Sequence, residues 1–385
     1  MPVICGRFFC KHSRCVLMAE RDTIIDKMPN NNNTLSKGGH LEFEEKVADI
    51  DSQMNELRKL SSIKGIDYST EIRRLQRQQV TELKRIYSNL TAWQTVQVAR
   101  HPNRPLLSDY LDLMVKDFRE LHGDRCFGDD RAIVTGLGQI GRERVLVVGQ
   151  NKGKNTKQKV ACNFGCPNPE GYRKALTKMK FAEKFGIPVV TLIDTPGAYP
   201  GIGAEERGQA QAIAFNLNQM PRLRVPIICI VIGEGGSGGA LGIGVGDRLA
   251  ILEFAYYSVI SPEGCAAILW RDGSQAPKAA EALKLTSKDL YKLGLVDTVI
   301  SEPLGGAHRN LHDTVYNVEK YIVKTLRDLK RTKLDNLLDN RYKKLRSIGV
   351  SPAEKLRRKT LAGKERAKAA LETIPTKRKR IPAKV

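Results

Sequence analysis

The chain has 385 residues, 41% hydrophobic and 28% charged, a balance expected of a soluble globular protein with room for one large domain or two small ones plus appendages. Charges or glycines interrupt every apolar run before it could span a bilayer, so no membrane span is expected. The net charge of +22 suggests nucleic acid or acidic partners, but residues 341–385 hold sixteen Lys or Arg against three Glu, so more than half of the excess belongs to one appendage.

Residues 1–40 read as a disordered leader. The part before Met18 is basic and lacks acids, as a transit peptide would, but it is short and poor in Ser, which favours Met18 as the start. Its Cys5, Cys10 and Cys15 carry no ligand pattern. From 41 to 60, Phe43, Val47, Ile50, Met54 and Leu57 recur at spacings of four and three, the stripe of an amphipathic helix with a coiled-coil-like seam. Gly65-Ile-Asp breaks it, and Ile72, Leu75, Leu83, Ile86 and Leu90 mark a second helix, with Gln79 as a polar fault in its stripe. A helical hairpin over 41–100 must bury these stripes on its own body or on a partner. His101-Pro-Asn-Arg-Pro105 ends the region, and His101 reads as structural or surface rather than catalytic.

Residues 106–121 read as helical and Gly123–Gly128 as a loop. Ala132–Gly138 and Val145–Gln150 form a hairpin around Gly141. Asn151–Lys159 is a basic loop, either phosphate-binding or solvated. Tyr172–Phe185 is a helix, and Ile187–Asp194 a buried strand. Asp194-Thr-Pro-Gly197 has the form of a GTPase switch, but no Walker A loop precedes it and Asn151-Lys-Gly-Lys lacks the acid of a guanine-reading motif. What remains is a strand-to-loop-to-helix junction running to a helix from Ala204, with Glu205 and Glu206 as favourable charge in its first turn and Arg207 free to pair with an acid.

The most informative stretch is 226–247. Ile227–Ile232 is an unbroken β-branched run that reads as a strand buried on both faces. Five of the seven residues Gly233–Gly239 are glycine, and Ala240–Val245 reads as a tightly packed helix. Strand, glycine turn and helix start aim backbone N–H groups at one point, which predicts a site for negative charge, either a bound anion or a developing oxyanion. Gly233–Gly238 also matches the dinucleotide fingerprint, but Glu253 arrives sooner than a ribose-binding acid should, and no Lys-Ser or Lys-Thr follows to make a Walker A loop. Strands near 248–253 and 256–260 follow. Ser261-Pro262 caps the next helix and Thr286 another; Val296–Ile300 is a short strand, and 311–329 a long helix. Repeated strand-then-helix units argue α/β. From Arg341 the chain is basic and poor in aromatics, without a clear core.

Eight cysteines are scattered, with Cys229 and Cys265 in apolar surroundings, so a reducing compartment is expected rather than a disulfide framework. Cys162-x3-Cys166 is half of a metal pattern with no second pair, so no metal is expected on this chain.

Five motifs in one order carry a resemblance: Asn163–Lys174, Asp194–Gly208, Gly233–Ala240, Val259–Cys265 and Glu302–Asn310. Together they resemble the alpha subunits of the carboxyltransferase of bacterial-type acetyl-CoA carboxylase, from about residue 41 to about residue 348. The resemblance implies a crotonase-like (ClpP/crotonase) superhelix of repeated β-β-α units over 101–340, with the α-helical hairpin as a partner-binding element; it is silent on the last residues of the segment 341–385, which composition alone marks as a basic tail. It implies transfer of a carboxyl group from carboxybiotin to acetyl-CoA, giving malonyl-CoA for fatty-acid synthesis. Partners would be a beta subunit in an α2β2 assembly, carrying the zinc, together with biotin carboxyl carrier protein and biotin carboxylase. By position in the family motif, the amides of Gly238 and Gly239 form an oxyanion hole facing carboxybiotin. Gly235, Gly236, Ser237, Pro196, Gly197, Ala198 and Tyr199 would line the substrate. No side-chain nucleophile is needed, because the decarboxylated biotin nitrogen can take the acetyl proton. A bacterial cytoplasm, or alternatively a plastid stroma, is the implied location. The rivals are a carboxyltransferase for another acyl-CoA such as propionyl-CoA, a dinucleotide-dependent oxidoreductase, and a nucleic-acid-binding protein acting through Lys377–Arg380, a segment equally able to meet an acidic partner or simply be solvated.

Overall fold

The structure, a computed structural model, describes residues 39–349. The leader with Cys5, Cys10 and Cys15, and the tail from 350 onward, lie outside the described residues.

The expected hairpin is present. Helices α1 (Glu45–Lys64) and α2 (Ser69–Ser88) are joined at Gly65, whose left-handed conformation lets its N–H close on Ser61 O at 3.0 Å. Val47, Ile50 and Met54 of α1 and Leu75, Leu83 and Tyr87 of α2 are buried. The polar fault at Gln79 is met by Asp51, which accepts from the Gln79 amide. The base of the hairpin packs on the body through Leu41, Val47, Leu83, Tyr87, Val98 and Phe254, whereas Ile63 near its tip is 78% exposed. Helix α3 (Ala92–Ala99) follows, its start fixed by a capping box between Thr91 and Gln94.

Residues 106–121 are not one helix. Helix α4 (Leu107–Met114) ends at Val115, and Lys116–Glu120 is strand β1, paired antiparallel with β2 (Ile133–Ile140). The apolar spacing of 106–121 suits a helix, but pairing with β2 overrides it. Gly136 and Gly138 on β2 leave the space that Phe118 and Val115 occupy. Strand β3 (Glu143–Gln150) completes the hairpin around Gly141. Helix α5 (Thr156–Ala161), capped by Asn155, occupies part of the stretch expected to be an open basic loop. Helix α6 (Pro169–Lys184) then leads to β4 (Val189–Thr195).

Helix α7 (Ile202–Glu206) begins two residues before the expected Ala204, and left-handed Gly208 separates it from α8 (Gln209–Gln219). Strand β5 (Ile227–Gly236) is four residues longer than expected, and α9 (Ser237–Leu241) is a single short helix rather than a run over 240–245. Strands β6 (Arg248–Leu252) and β7 (Tyr256–Ser258) both pair with β5, at different heights. Helix α10 (Pro262–Trp270) starts on its Ser261 cap; α11 (Ala276–Leu283) falls where no element was expected, and α12 (Ser287–Lys292) starts on Thr286. Strand β8 (Thr298–Ile300), the long α13 (Leu311–Lys330) and α14 (Leu334–Ser347) complete the described chain.

The sheet runs β1-β2-β3-β4-β5-β6-β8, antiparallel through β3 and parallel thereafter, with β7 branching from β5. Every residue of β4 and β5 is buried, which is why Ile227–Ile232 reads as an unbroken apolar run. The α/β class is as expected, and the sheet forks at β5, whose Ile228–Val231 pairs with β6 and whose Glu234–Gly236 pairs with β7, the strand that leads on to α10. Arg341 is a correction: it is not tail but a fully buried residue of α14, pairing with Asp247 at 2.7 Å and donating to the carbonyls of Leu223 and Val225, both at 2.7 Å. Among the described residues no helix is long and apolar enough to cross a membrane.

Candidate active site

Two turns meet at the carboxyl ends of the adjacent parallel strands β4 and β5. At the first, a Cβ added to Gly236 would lie 2.1 Å from Pro196 O, and one added to Gly239 would lie 2.4 Å from Ala198 N. Only glycine permits these backbones to touch. Gly238 differs, because its added Cβ would meet nothing nearer than Ile213 at 4.0 Å. Ser237 holds a left-handed φ of 53° that turns the strand directly into α9. The N–H groups of Gly238 and Gly239 fall in the first turn of α9, where a helix supplies no acceptor of its own. Ser237 is exposed, Gly238 half-buried and Gly239 buried, so the N–H groups sit at the edge of the surface. Gly239 O is tied inward by Gln150 Nε2 at 2.9 Å and the Tyr172 hydroxyl at 3.1 Å.

The second turn, Pro196–Tyr199, is braced by the Asn163–Lys174 motif. The Thr195 hydroxyl lies 2.7 Å from Gly165 O and 2.8 Å from Gly197 O, and it accepts from Gly197 N. Tyr199 N donates to Pro167 O at 3.0 Å, and Gln209 Nε2 donates to both Pro167 O and Tyr199 O. Asn163, Phe164 and Gly165 all have positive φ, a tight reversal that brings the Gly165 carbonyl to Thr195. Pro196, Gly197, Ala198 and Tyr199 are each half-buried beside the first turn. Thus all of the sequence-selected residues, 196–199 and 235–239, come together.

Beneath the turns lies a charged cluster that sequence reasoning missed. Lys152 Nζ bridges Asp194 Oδ1 at 2.7 Å and Glu234 Oε2 at 2.5 Å. Glu234 Oε1 takes Arg100 Nε at 2.6 Å and the Tyr256 hydroxyl at 2.7 Å, and Arg100 also pairs with Glu263. Burial pushes the Glu234 carboxyl up, but Lys152 and Arg100 outweigh it and hold the group well below the usual carboxylate range. Burial likewise opposes the Lys152 ammonium, and Asp194 and Glu234 reverse that and raise its pKa. Lys152 and Glu234 both stay ionised at neutral pH, so their ion pair fixes geometry and is a poor proton shuttle. Lys152 is therefore neither a solvated loop lysine nor a free phosphate ligand. The one available signal was an acid at Glu234 inside a strand otherwise apolar or glycine.

Other candidates take structural places. His101 is buried, stacked on His308 with ring centroids 3.9 Å apart, and its ring nitrogens meet Gly39 O and Asn103 N. Arg207 pairs with Glu170 at 3.0 Å. Cys162 and Cys166 are buried free thiols, and burial pushes Cys166 up to about 12. Among the described residues no group of His, Cys, Asp and Glu is arranged to hold a metal. Two cavities of about 600 Å³ lie away from the turns, one beside Phe43 and Trp93, the other beside Phe181 and Phe185.

Residues 40–349 match the family of acetyl co-enzyme A carboxylase carboxyltransferase-like proteins. The chain belongs to this family. It is 54% identical, over 81% of its length and 98% of the relative's, to the acetyl-coenzyme A carboxylase carboxyl transferase subunit alpha of Rhodopirellula baltica. Identity to the subunit of the same name from Xanthomonas campestris pv. campestris is also 54%, with the same coverage. Among solved structures, a Pseudomonas malonate decarboxylase hetero-tetramer in complex with coenzyme A superposes with a TM-score of 0.48 at 16% identity, covering 63% of this chain and 93% of that one. The family match spans the hairpin, the forked sheet and α14 alike, and leaves out the leader and the tail.

Proposed function

We propose that this chain is the alpha subunit of an acetyl-CoA carboxylase carboxyltransferase, a biotin-dependent enzyme that moves a carboxyl group from carboxybiotin to acetyl-CoA and forms malonyl-CoA. The observation that carries the reading is the seating of the Gly236–Gly239 turn against the Pro196–Tyr199 turn, in a chain that is a family member over 40–349. The reaction breaks the N–CO2 bond of carboxybiotin and leaves charge on the ureido oxygen. Removal of a methyl proton from acetyl-CoA leaves charge on the thioester oxygen, and the biotin nitrogen takes that proton. Carbon–carbon bond formation with the released CO2 completes malonyl-CoA. In this reading the N–H groups of Gly238 and Gly239 stabilise the ureido oxyanion, and Gly235, Gly236, Ser237 and Pro196–Tyr199 shape the surface around the biotin ring. The ionised Lys152–Glu234 pair supports a mechanism without a side-chain nucleophile, since neither partner is poised near neutral pH.

The opposing oxyanion hole and the CoA surface would come from a beta-type subunit in an α2β2 assembly, which would also hold the zinc. The carboxyl carrier protein would deliver carboxybiotin formed by biotin carboxylase. The hairpin 41–100 offers its tip to such a partner, where Ile63 and Ile66 are 78% and 49% exposed. A bacterial cytoplasm or a plastid stroma would suit this role.

The test is malonyl-CoA-dependent carboxylation of free biotin by the chain alone and by its complex with a beta-type subunit. Activity in the complex alone is expected. An inert verified complex, on propionyl-CoA-type substrates as well, would overturn the reading.

A further inference from the structure

Strand β5 keeps register with β4 only as far as Val231. Between the pairs Ile193–Val231 and Thr195–Gly235, one residue of β4 stands against three of β5. Such a bulge bends its strand and leaves ladder groups without a strand partner. Side chains take them here. Asp194 Oδ1 accepts from Glu234 N at 2.9 Å, and Arg104 Nε donates to Ile232 O at 2.9 Å. Below the bulge β5 pairs with β6, and above it with β7, so the bend aims the last three residues of the strand, and the glycine turn after them, away from the main sheet.

Two arginines from one short segment hold this bend. Arg100 ends α3, and its guanidinium ties Glu234 to Glu263 of α10 and to the Tyr256 hydroxyl of β7. Arg104, in the loop that follows, is fully buried. It forks onto Glu302, whose oxygens also accept from Phe254 N and Ala307 N. Isolated buried charges would be expelled, so both arginines stay in place only while α3 is seated. The separation expected at residue 100 between a partner-binding hairpin and a catalytic body thus cuts between two residues that serve the same bulge.

We infer that the end of α3 and its following loop, through Arg100 and Arg104, are the positioning element that holds the β5 bulge and thereby sets the Gly236–Gly239 turn against Pro196–Tyr199. This rests on the proposed role of those turns in carboxyl transfer. Neither arginine touches substrate. Each acts through the strand, so seating of the N-terminal helices and competence of the glycine turn form one equilibrium.

The test is Arg100→Gln in the full chain, purified as a complex with the beta-type subunit. The kcat for malonyl-CoA-dependent biotin carboxylation falls about 10- to 100-fold, the loss expected from a small misplacement. The KM for malonyl-CoA stays within about threefold, since uniform binding is untouched. Guanidinium ion in the medium restores part of kcat. Hydrogen–deuterium exchange of amides 232–240 rises while that of 227–231 does not. Wild-type kcat with wild-type exchange overturns the inference, and so does an exchange rise spread evenly over β4 and β5. If Arg100→Gln yields no folded chain, Glu263→Gln removes only the outer partner of Arg100 and is read the same way: a smaller local rise at 232–240 supports the inference, and no change overturns it. Exchange is scored without reference to turnover. An inactive wild-type complex would therefore sink the functional reading while leaving this one decidable.

Discussion

Gly238 and Gly239 are neighbours with opposite steric surroundings, and substituting each separates the folding role of the turn from its proposed chemical role. At Gly238 an added Cβ has 4.0 Å of clearance to Ile213, and the residue lies in the first turn of a helix with ordinary helical backbone. Gly238→Val should therefore change stability by no more than about 1 kcal/mol, because helix propensity favours the change and nothing rigid opposes it. Its methyl groups would stand over the N–H groups of the turn. Loss of one such donor typically lowers kcat by about 10²–10³. At Gly239 the added Cβ would lie 2.4 Å from Ala198 N and Gly197 C, both backbone atoms that no rotamer change can move. Gly239→Ala must push the two turns apart, at the upper end of the overpacking range, about 3 kcal/mol. For a body of this size that is a drop of about 5 °C in Tm. Calorimetry of both variants, alongside biotin carboxylation by their complexes with the beta-type subunit, measures the two effects. A Gly238→Val complex with wild-type turnover refutes the oxyanion-hole reading, and a Gly239→Ala chain with unchanged Tm refutes the close contact between the turns.

Lys152→Met leaves Asp194 and Glu234 sharing a buried site without their common cation, and unfolding free energy should fall by about 3–5 kcal/mol, read by denaturant titration. Arg341→Met should lose a similar amount by stranding Asp247, and truncation after Asn340 should lower Tm. His308 is held neutral: burial, then the neighbouring His101 and Arg309, push it from 6.5 down to about 2. The unfolded chain binds a proton below about 6.5 and the folded chain does not, so this contribution is intact above that pH and lost as pH falls. The slope reaches at most about 1.4 kcal/mol per pH unit. Stability of His308→Gln should accordingly vary less between pH 7 and pH 5 than that of the parent, a comparison made by denaturant unfolding at each pH.

Much of this protein is local in origin and so was legible without coordinates. The buried strands are continuous β-branched runs, the helix starts at Ser261 and Thr286 carry their own caps, and α1 ends at Gly65 because a left-handed residue is needed there. The glycine turn after β5 was also legible, because the close backbone approach at Gly236 and Gly239 demands glycine, whereas Pro196–Tyr199 was assigned to the site only through the family resemblance. What sequence could not decide were the outcomes set by distant partners. Residues 116–120 became a strand because β2 offered glycine-lined space. Gly233–Gly236 stayed in the strand because β7 and Thr195 paired with it. Lys152, Arg100 and Arg341 each look like surface cations along the chain, and each is drawn inside by a carboxylate from a remote segment. Periodicity and capping act over a few residues and are written in order. Desolvation and ion pairing depend on which segments the fold brings within a few ångströms, and only the tertiary structure determines that.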